Sequence, residues 1–192
     1  MNILLLGPPN KSILSYLRAE GEKCFSYQKK ITTSSSILDE TDFIISYGYR
    51  HIIDRGIIKK FSQKIINLHI SYLPWNRGSD PNLWSFLENT PKGVSIHFID
   101  EGIDTGDLIA QYPVEPSSDD TLRSSYNRLI QAIESLFVRE WPKISTGKIN
   151  GKSQSGKGTY HRRMDFKAVE HLLTRGWDTP VKQLVENFNK LN

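Results

Sequence analysis

Lys64-Ile65-Ile66-Asn67-Leu68-His69-Ile70-Ser71-Tyr72-Leu73-Pro74 is the stretch on which the reading of this chain turns. It opens as a strand: Ile65 and Ile66 are adjacent, β-branched and apolar, the composition of an element covered on both faces. It closes with an amide and an imidazole two residues apart. In extended backbone such residues share a face, so Asn67 and His69 point the same way.

The same pattern extends outward from this strand. Ile3 to Leu6, followed by Gly7-Pro8-Pro9, predicts a first buried strand and its exit turn, and Ile13, Leu14 and Leu17 stand at helical spacing behind it. Phe43-Ile44-Ile45-Ser46-Tyr47-Gly48 is a second buried run ending in a turn. Ile52, Ile53, Ile57 and Ile58 then predict a helix leading to residue 64. Strand, helix, strand, helix, strand is the order of an α/β fold with a doubly wound, mostly parallel sheet. Ligands of such sheets sit beyond the carboxyl ends of the strands, so the turns after Leu6, Ser46 and Leu68 should share one rim.

Downstream, Asn82 to Glu88 reads as a helix, Val94 to Ile99 as a strand with one face buried, and Leu108 to Val114 as its antiparallel partner. Ser117-Ser118-Asp119-Asp120 offers caps for a helix whose apolar stripe is Leu122, Tyr126, Leu129, Ile130, Ile133, Leu136 and Phe137, ended by Trp141-Pro142. Residues 1–145 thus form a main domain, and 146–192 a small appendage. The appendage begins with a Gly- and Lys-rich loop or hairpin at 147–158 and ends with short helical patterns at 166–173 and 181–188.

With 192 residues, 38% hydrophobic and 24% charged, the chain reads as an ordinary soluble domain. A net charge of +4 suits an anionic small molecule and by itself gives no reason to expect nucleic acid. The single Cys24 rules out an intrachain disulfide or a cysteine zinc cage. No signal-like segment and no apolar run near the ~20 residues of a membrane span appears, which predicts a cytoplasmic protein away from the membrane.

The chemistry centres on Asn67, His69 and Asp104. The carboxylate lies in the glycine-punctuated turn Gly102-Ile103-Asp104-Thr105-Gly106-Asp107, which can bring it beside the strand end. An amide there suits a developing oxyanion, worth roughly 10²–10³ in rate. An imidazole serves as general base, worth about 10²–10⁴, with the carboxylate orienting it. No serine or cysteine stands in a nucleophile elbow, so a direct transfer is expected. Gly151-Lys152-Ser153-Gln154-Ser155-Gly156-Lys157 resembles a phosphate loop, but Gly158 occupies the Ser/Thr position and no buried strand precedes it. It reads as a basic loop. His97 is either a packing residue on its strand or part of the site lining. His51, His161 and His171 lack metal-ligand spacing, so no metal is expected. Lys157, Arg162, Arg163 and Lys167 form a basic patch, either a solvated face or a phosphate contact. Trp75, Arg77, Asp80 and Trp84 follow the histidine strand closely, and we read them with Ser71 as contacts to a base or sugar.

These residues resemble the folate-dependent formyltransferases, which carry an Asn-x-His-x-Ser-x-Leu-Pro element, often an Arg-Gly after it, and later an Asp-x-Gly turn. Here the elements are Asn67 to Pro74, Arg77-Gly78, and Gly93 to Gly106. The resemblance implies a Rossmann-like core and transfer of a formyl group from N10-formyltetrahydrofolate to an amine, with Asn67, His69 and Asp104 as the catalytic group. It puts Asp100, Glu101, Gly102 and Ile103 against the folate, with the Ser46-Tyr47-Gly48-Tyr49 turn as another wall. The loop Asn76 to Trp84 is most similar to the members that act on nucleotide-linked amino-deoxysugars in surface-polysaccharide synthesis, and those relatives imply a homodimer. Glycinamide ribonucleotide or methionyl-tRNA is the alternative acceptor, and a non-catalytic folate- or nucleotide-binding relative is the alternative of another class. Ile70, where the family usually has proline, and Gly7-Pro8-Pro9-Asn10-Lys11-Ser12, in place of a glycine-rich phosphate loop, are departures from the family pattern.

Overall fold

The computed structural model describes residues 1–191. Along the chain run β1 (Asn2–Leu6), α1 (Lys11–Ala19), β2 (Lys23–Tyr27), β3 (Phe43–Ser46), α2 (Arg55–Lys60), β4 (Ile65–His69), β5 (Arg77–Gly78) and α3 (Pro81–Leu87). They are followed by β6 (Gly93–Phe98), β7 (Leu108–Pro113), α4 (Leu122–Ser145), β8 (Tyr160–His161), β9 (Thr174–Trp177) and α5 (Val181–Asn189). Six strands form one sheet in the order β2-β1-β3-β4-β6-β7. The first four are parallel, while β6 runs antiparallel to β4, and β7 to β6. The sheet is α/β and doubly wound, as the strand-helix alternation predicts.

Alternation along the strands sends side chains into two cores. Ile3, Leu5, Ile45, Ile66 and Leu68 face α1 and α4, where Ile133, Phe137 and Trp141 meet them. Leu4, Leu6, Ile44 and Ile65 face the other way, toward Ile57 and Phe61. Asn67 and His69 continue the Ile65 side past the end of this second core, where the apolar layer stops and polar side chains replace it.

Two readings change. The strand Lys23–Tyr27 carries no sequence signal because it is the half-exposed edge of the sheet, whose order comes from pairing with β1. Pro142 does not end the long helix, which continues to Ser145. Proline removes the N–H that would bond to Val138 O, and the Tyr16 hydroxyl donates to that carbonyl at 3.2 Å instead.

The appendage builds a third core. Leu172, Val169 and Leu184 pack with Leu83, Trp84, Phe86 and Leu87 of α3 and with Leu122. The helix expected over 166–173 is two 3-10 turns, Arg163–Ala168 and Glu170–Leu172, followed by the extended β9. The basic loop is pinned, with Lys152 exchanging backbone bonds with Leu108 and the Ser153 hydroxyl donating to Asp107.

Candidate active site

The end of β4 and the turn after β6 hold the polar group. Asn67 lies opposite His97 in the β4/β6 ladder, and His69 lies opposite Ser95. Gly106 lets the turn fold back, since a Cβ there would sit 1.9 Å from Phe98 O. Asp104 has a positive φ of 53°, an unusual conformation that aims its carboxylate at the strand end. Asn67 Nδ2 donates to Asp104 Oδ1 at 3.0 Å and contacts His97 Nε2 at 3.3 Å. Asp104 Oδ2 accepts the Gly78 N–H at 2.9 Å and stands 3.7 Å from His69 Nδ1.

Carbonyl contacts assign the tautomers. His69 Nε2 lies 3.2 Å from Asn76 O, an acceptor only, so Nε2 carries the proton and Nδ1 faces the site. His97 Nδ1 likewise donates to Phe98 O at 2.7 Å. Both rings are buried, at 8% and 2% exposure. Burial alone would raise the Asp104 pKa. When the rings carry their second proton, the His69 charge, then the hydrogen bond and charge of His97, join the Gly78 N–H in outweighing it and hold the carboxyl well below the usual range.

The appendage closes this group from behind. Gln154 Nε2 donates to Asp104 O and Gly106 O, and its Oε1 accepts from Arg77 at 2.7 Å. Thr159 Oγ1 accepts the Asn76 N–H at 2.9 Å and donates to Asn76 Oδ1 at 3.3 Å. Asn76 Nδ2 in turn donates to Thr90 at 2.7 Å. The loop that fixes His69 is therefore itself fixed by residue 159. β5 pairs with β8 in parallel, and Gly78 is required there because a Cβ would meet His161 O at 2.2 Å.

A cavity of about 1160 Å³ opens from Asn67, His69, His97 and Asp104. Ser46, Gly48, Tyr49, Asp100, Glu101, Gly102 and Ile103 line it. Tyr47 does not: it points through the sheet into the α1/α4 core, where burial, then Glu134 and Tyr126, push its hydroxyl pKa up. Of the expected acceptor contacts, Asp80 lines the cavity, and Ser71, Trp75, Arg77 and Trp84 are not among its lining residues. Ser71 is buried with its hydroxyl on Trp75 O, Arg77 braces Gln154, and Trp84 stacks on His161 with ring centroids 3.9 Å apart. Residues with short local sequence signals were thus drawn into packing. His97 carried a signal in its alternation, and Asn76 in being an Asn before Arg-Gly, where a positive φ is tolerated. Gln154 and Thr159 carried none. Among the described residues no group of His, Cys, Asp and Glu stands as a metal cage.

A model of the formyl transferase family matches residues 26–140. The chain belongs to the formyl transferase family. A crystal structure of the formyltransferase PseJ from Anoxybacillus kamchatkensis, in complex with UDP-4,6-dideoxy-4-formamido-L-AltNAc and tetrahydrofolate, is 53% identical. The match covers 96% of this chain and 97% of that one, at a TM-score of 0.94. The dTDP-4-amino-4,6-dideoxyglucose formyltransferase of Mycobacterium bovis is 28% identical over 138 residues, 72% of this chain and 58% of its own. Phosphoribosylglycinamide formyltransferase of Bacillus subtilis is 33% identical over 110 residues, 54% and 56% of the two chains. The chain thus spans little more than half the length of these two curated relatives. Among its described residues no helix is long and apolar enough to cross a membrane.

Proposed function

We propose that this formyltransferase moves a formyl group from N10-formyltetrahydrofolate to the amino group of a nucleotide-linked amino-deoxysugar, with a UDP-linked 4-amino sugar as the first candidate. The observation that carries the reading is the convergence of Asn67, His69 and Asp104 at one end of a two-sided cavity. The 53% identity to a chain crystallised with a formamido sugar nucleotide and tetrahydrofolate supports it.

On the folate side, Ile53, Ile58 and Ile99 offer an apolar slot bounded by the main chain of Gly48 and of Asp100 to Ile103, which suits a flat, polar-edged ring. The folate supplies the electrophilic formyl carbon. His69 Nδ1 takes the proton from the attacking amine as the new C–N bond forms, and Asp104 stabilises the resulting imidazolium. Asn67 turns an N–H from its longer 3.3 Å contact with His97 to the formyl oxygen as negative charge develops. His69 then returns the proton to the departing folate nitrogen as its bond to the formyl carbon breaks. Residues 1–145 carry this chemistry, residues 146–192 complete the acceptor wall, and a reducing cytoplasmic setting suits the free Cys24.

The test is turnover with formyltetrahydrofolate against a panel of UDP- and dTDP-linked amino sugars. Formylation of the 4-amino sugar is expected. No turnover on the panel, with robust formylation of glycinamide ribonucleotide, would refute the sugar assignment.

A further inference from the structure

The catalytic group occupies one end of a cavity that exceeds the roughly 300–1,000 Å³ of an ordinary single-ligand pocket. Part of its lining comes from the appendage and differs in kind from the isoleucine-lined slot. Arg162, Arg163 and Lys167 face the cavity there, with Glu170 as the only carboxylate among the appendage's lining residues. Arg162 is held by Asp165 at 3.3 Å, whereas among the described residues neither Arg163 nor Lys167 forms an ion pair. Arg163 acts on Asp80, whose carboxyl is pushed up by burial and drawn back by that guanidinium. The same wall leaves large apolar side chains in the open, with Trp177 42% and Met164 63% exposed. Trp177 is backed by Phe166, with ring centroids 6.1 Å apart at 22°. Cations outside any ion pair and an exposed, braced indole in the lining of one cavity match a ligand with a polyanion at one end and a flat heterocycle at the other.

We propose that this wall is a nucleoside-diphosphate subsite, with Arg163 and Lys167 on the diphosphate and Trp177 against the base. The inference deepens the proposed function and rests on it. Position agrees with the chemistry: Gly78 bonds to Asp104, and Asp80, beside Arg163, follows two residues later. That is at most about 7 Å of chain, the reach of one sugar ring. A diphosphate on Arg163 would therefore leave the sugar it carries next to His69.

The experiment is calorimetric binding of UDP, the nucleotide of the PseJ ligand, to the full chain. Variants are R163A/K167A, W177A and W177F, with tetrahydrofolate binding as the control for an intact fold. Wild type is expected to bind UDP. R163A/K167A should weaken UDP and inorganic pyrophosphate by at least about tenfold. W177A should weaken UDP alone, W177F should restore it, and tetrahydrofolate should bind all variants within about twofold of wild type. Undiminished UDP binding by R163A/K167A, with amino-sugar turnover intact, overturns the subsite and leaves the proposed function standing. Wild-type protein that neither binds UDP nor formylates any nucleotide sugar overturns both.

Discussion

At the carboxyl ends of β4 and β6, Asn67, His69 and His97 stand on strands whose apolar neighbours are sealed by helices on either face. Gln154, Thr159 and Tyr160 reach the same site from a segment built of loops, 3-10 turns and a two-residue strand. Both regions present polar atoms to one cavity, but they are ordered differently. The rim residues inherit their geometry from the sheet and would keep most of it under local substitution. The appendage residues hold position through individual hydrogen bonds to Asn76, Asp104 and Gly106, so each bond matters singly. The polar group at the strand ends thus stands on the stiffer region, and the less regular one braces it and lines part of the cavity.

Removing rim chemistry should produce the largest effect. His69→Ala is expected to lower kcat by about 10²–10⁴, and Asn67→Ala by about 10²–10³, with melting temperatures near wild type. Single-turnover rates within a few-fold of wild type for either variant would take that residue out of the mechanism. Gly78→Ala tests the seam between the regions. Its Cβ would sit 2.2 Å from His161 O at a φ of +87°, so β5 and β8 must part and the N–H on Asp104 must move. A rate loss near 10² is expected, together with faster proteolysis within 150–162. Wild-type cleavage rates would show that the seam is not needed.

Thr159→Val probes the appendage alone. It removes both bonds to Asn76, whose carbonyl fixes the His69 tautomer. A drop in kcat of about tenfold with little change in KM is expected, along with about 1–3 kcal/mol of stability, and Thr159→Ser should recover both. A kcat equal to wild type would mean that the rim needs no such brace.

The smallest effect concerns acid stability. The Asp104 pKa is depressed in the fold, against about 3.9 unfolded. Its contribution is therefore fully present above about pH 5 and is lost as pH falls through the unfolded value toward the folded one. Asp104→Asn should flatten the fall in denaturant stability between about pH 5 and pH 2 by about 1 kcal/mol or more. Parallel curves for the two proteins would show that the carboxylate is not stabilised in the fold.

The elements that sequence pattern located are those whose order is encoded locally. β1, β3 and β4 are continuous apolar runs, and α4 has its stripe and a Thr121–Ser124 capping box. Edge strand β2 and the short β5 and β8 take their order from neighbours, so period and propensity had nothing to register. The same division runs through the site. Asn67 and His69 share a face because strand geometry requires it. Ser71, Arg77 and Trp84 looked like ligand contacts by proximity in sequence, but the turn after β4 folds them into packing, while Gln154 and Thr159 arrive from 50 and 83 residues away.

By itself, the sequence determined the α/β class, the strand end that carries the amide and the imidazole, and the groups we propose to react. These depend on side-chain type and on a period of two, and both are written locally in the chain. The tertiary structure alone decided which ring nitrogen of His69 faces the site, what holds Asp104 below its ordinary pKa, and which cations share the cavity. Those properties arise from contacts between segments distant in sequence, where hydrogen-bond geometry and burial are fixed only once the appendage has docked.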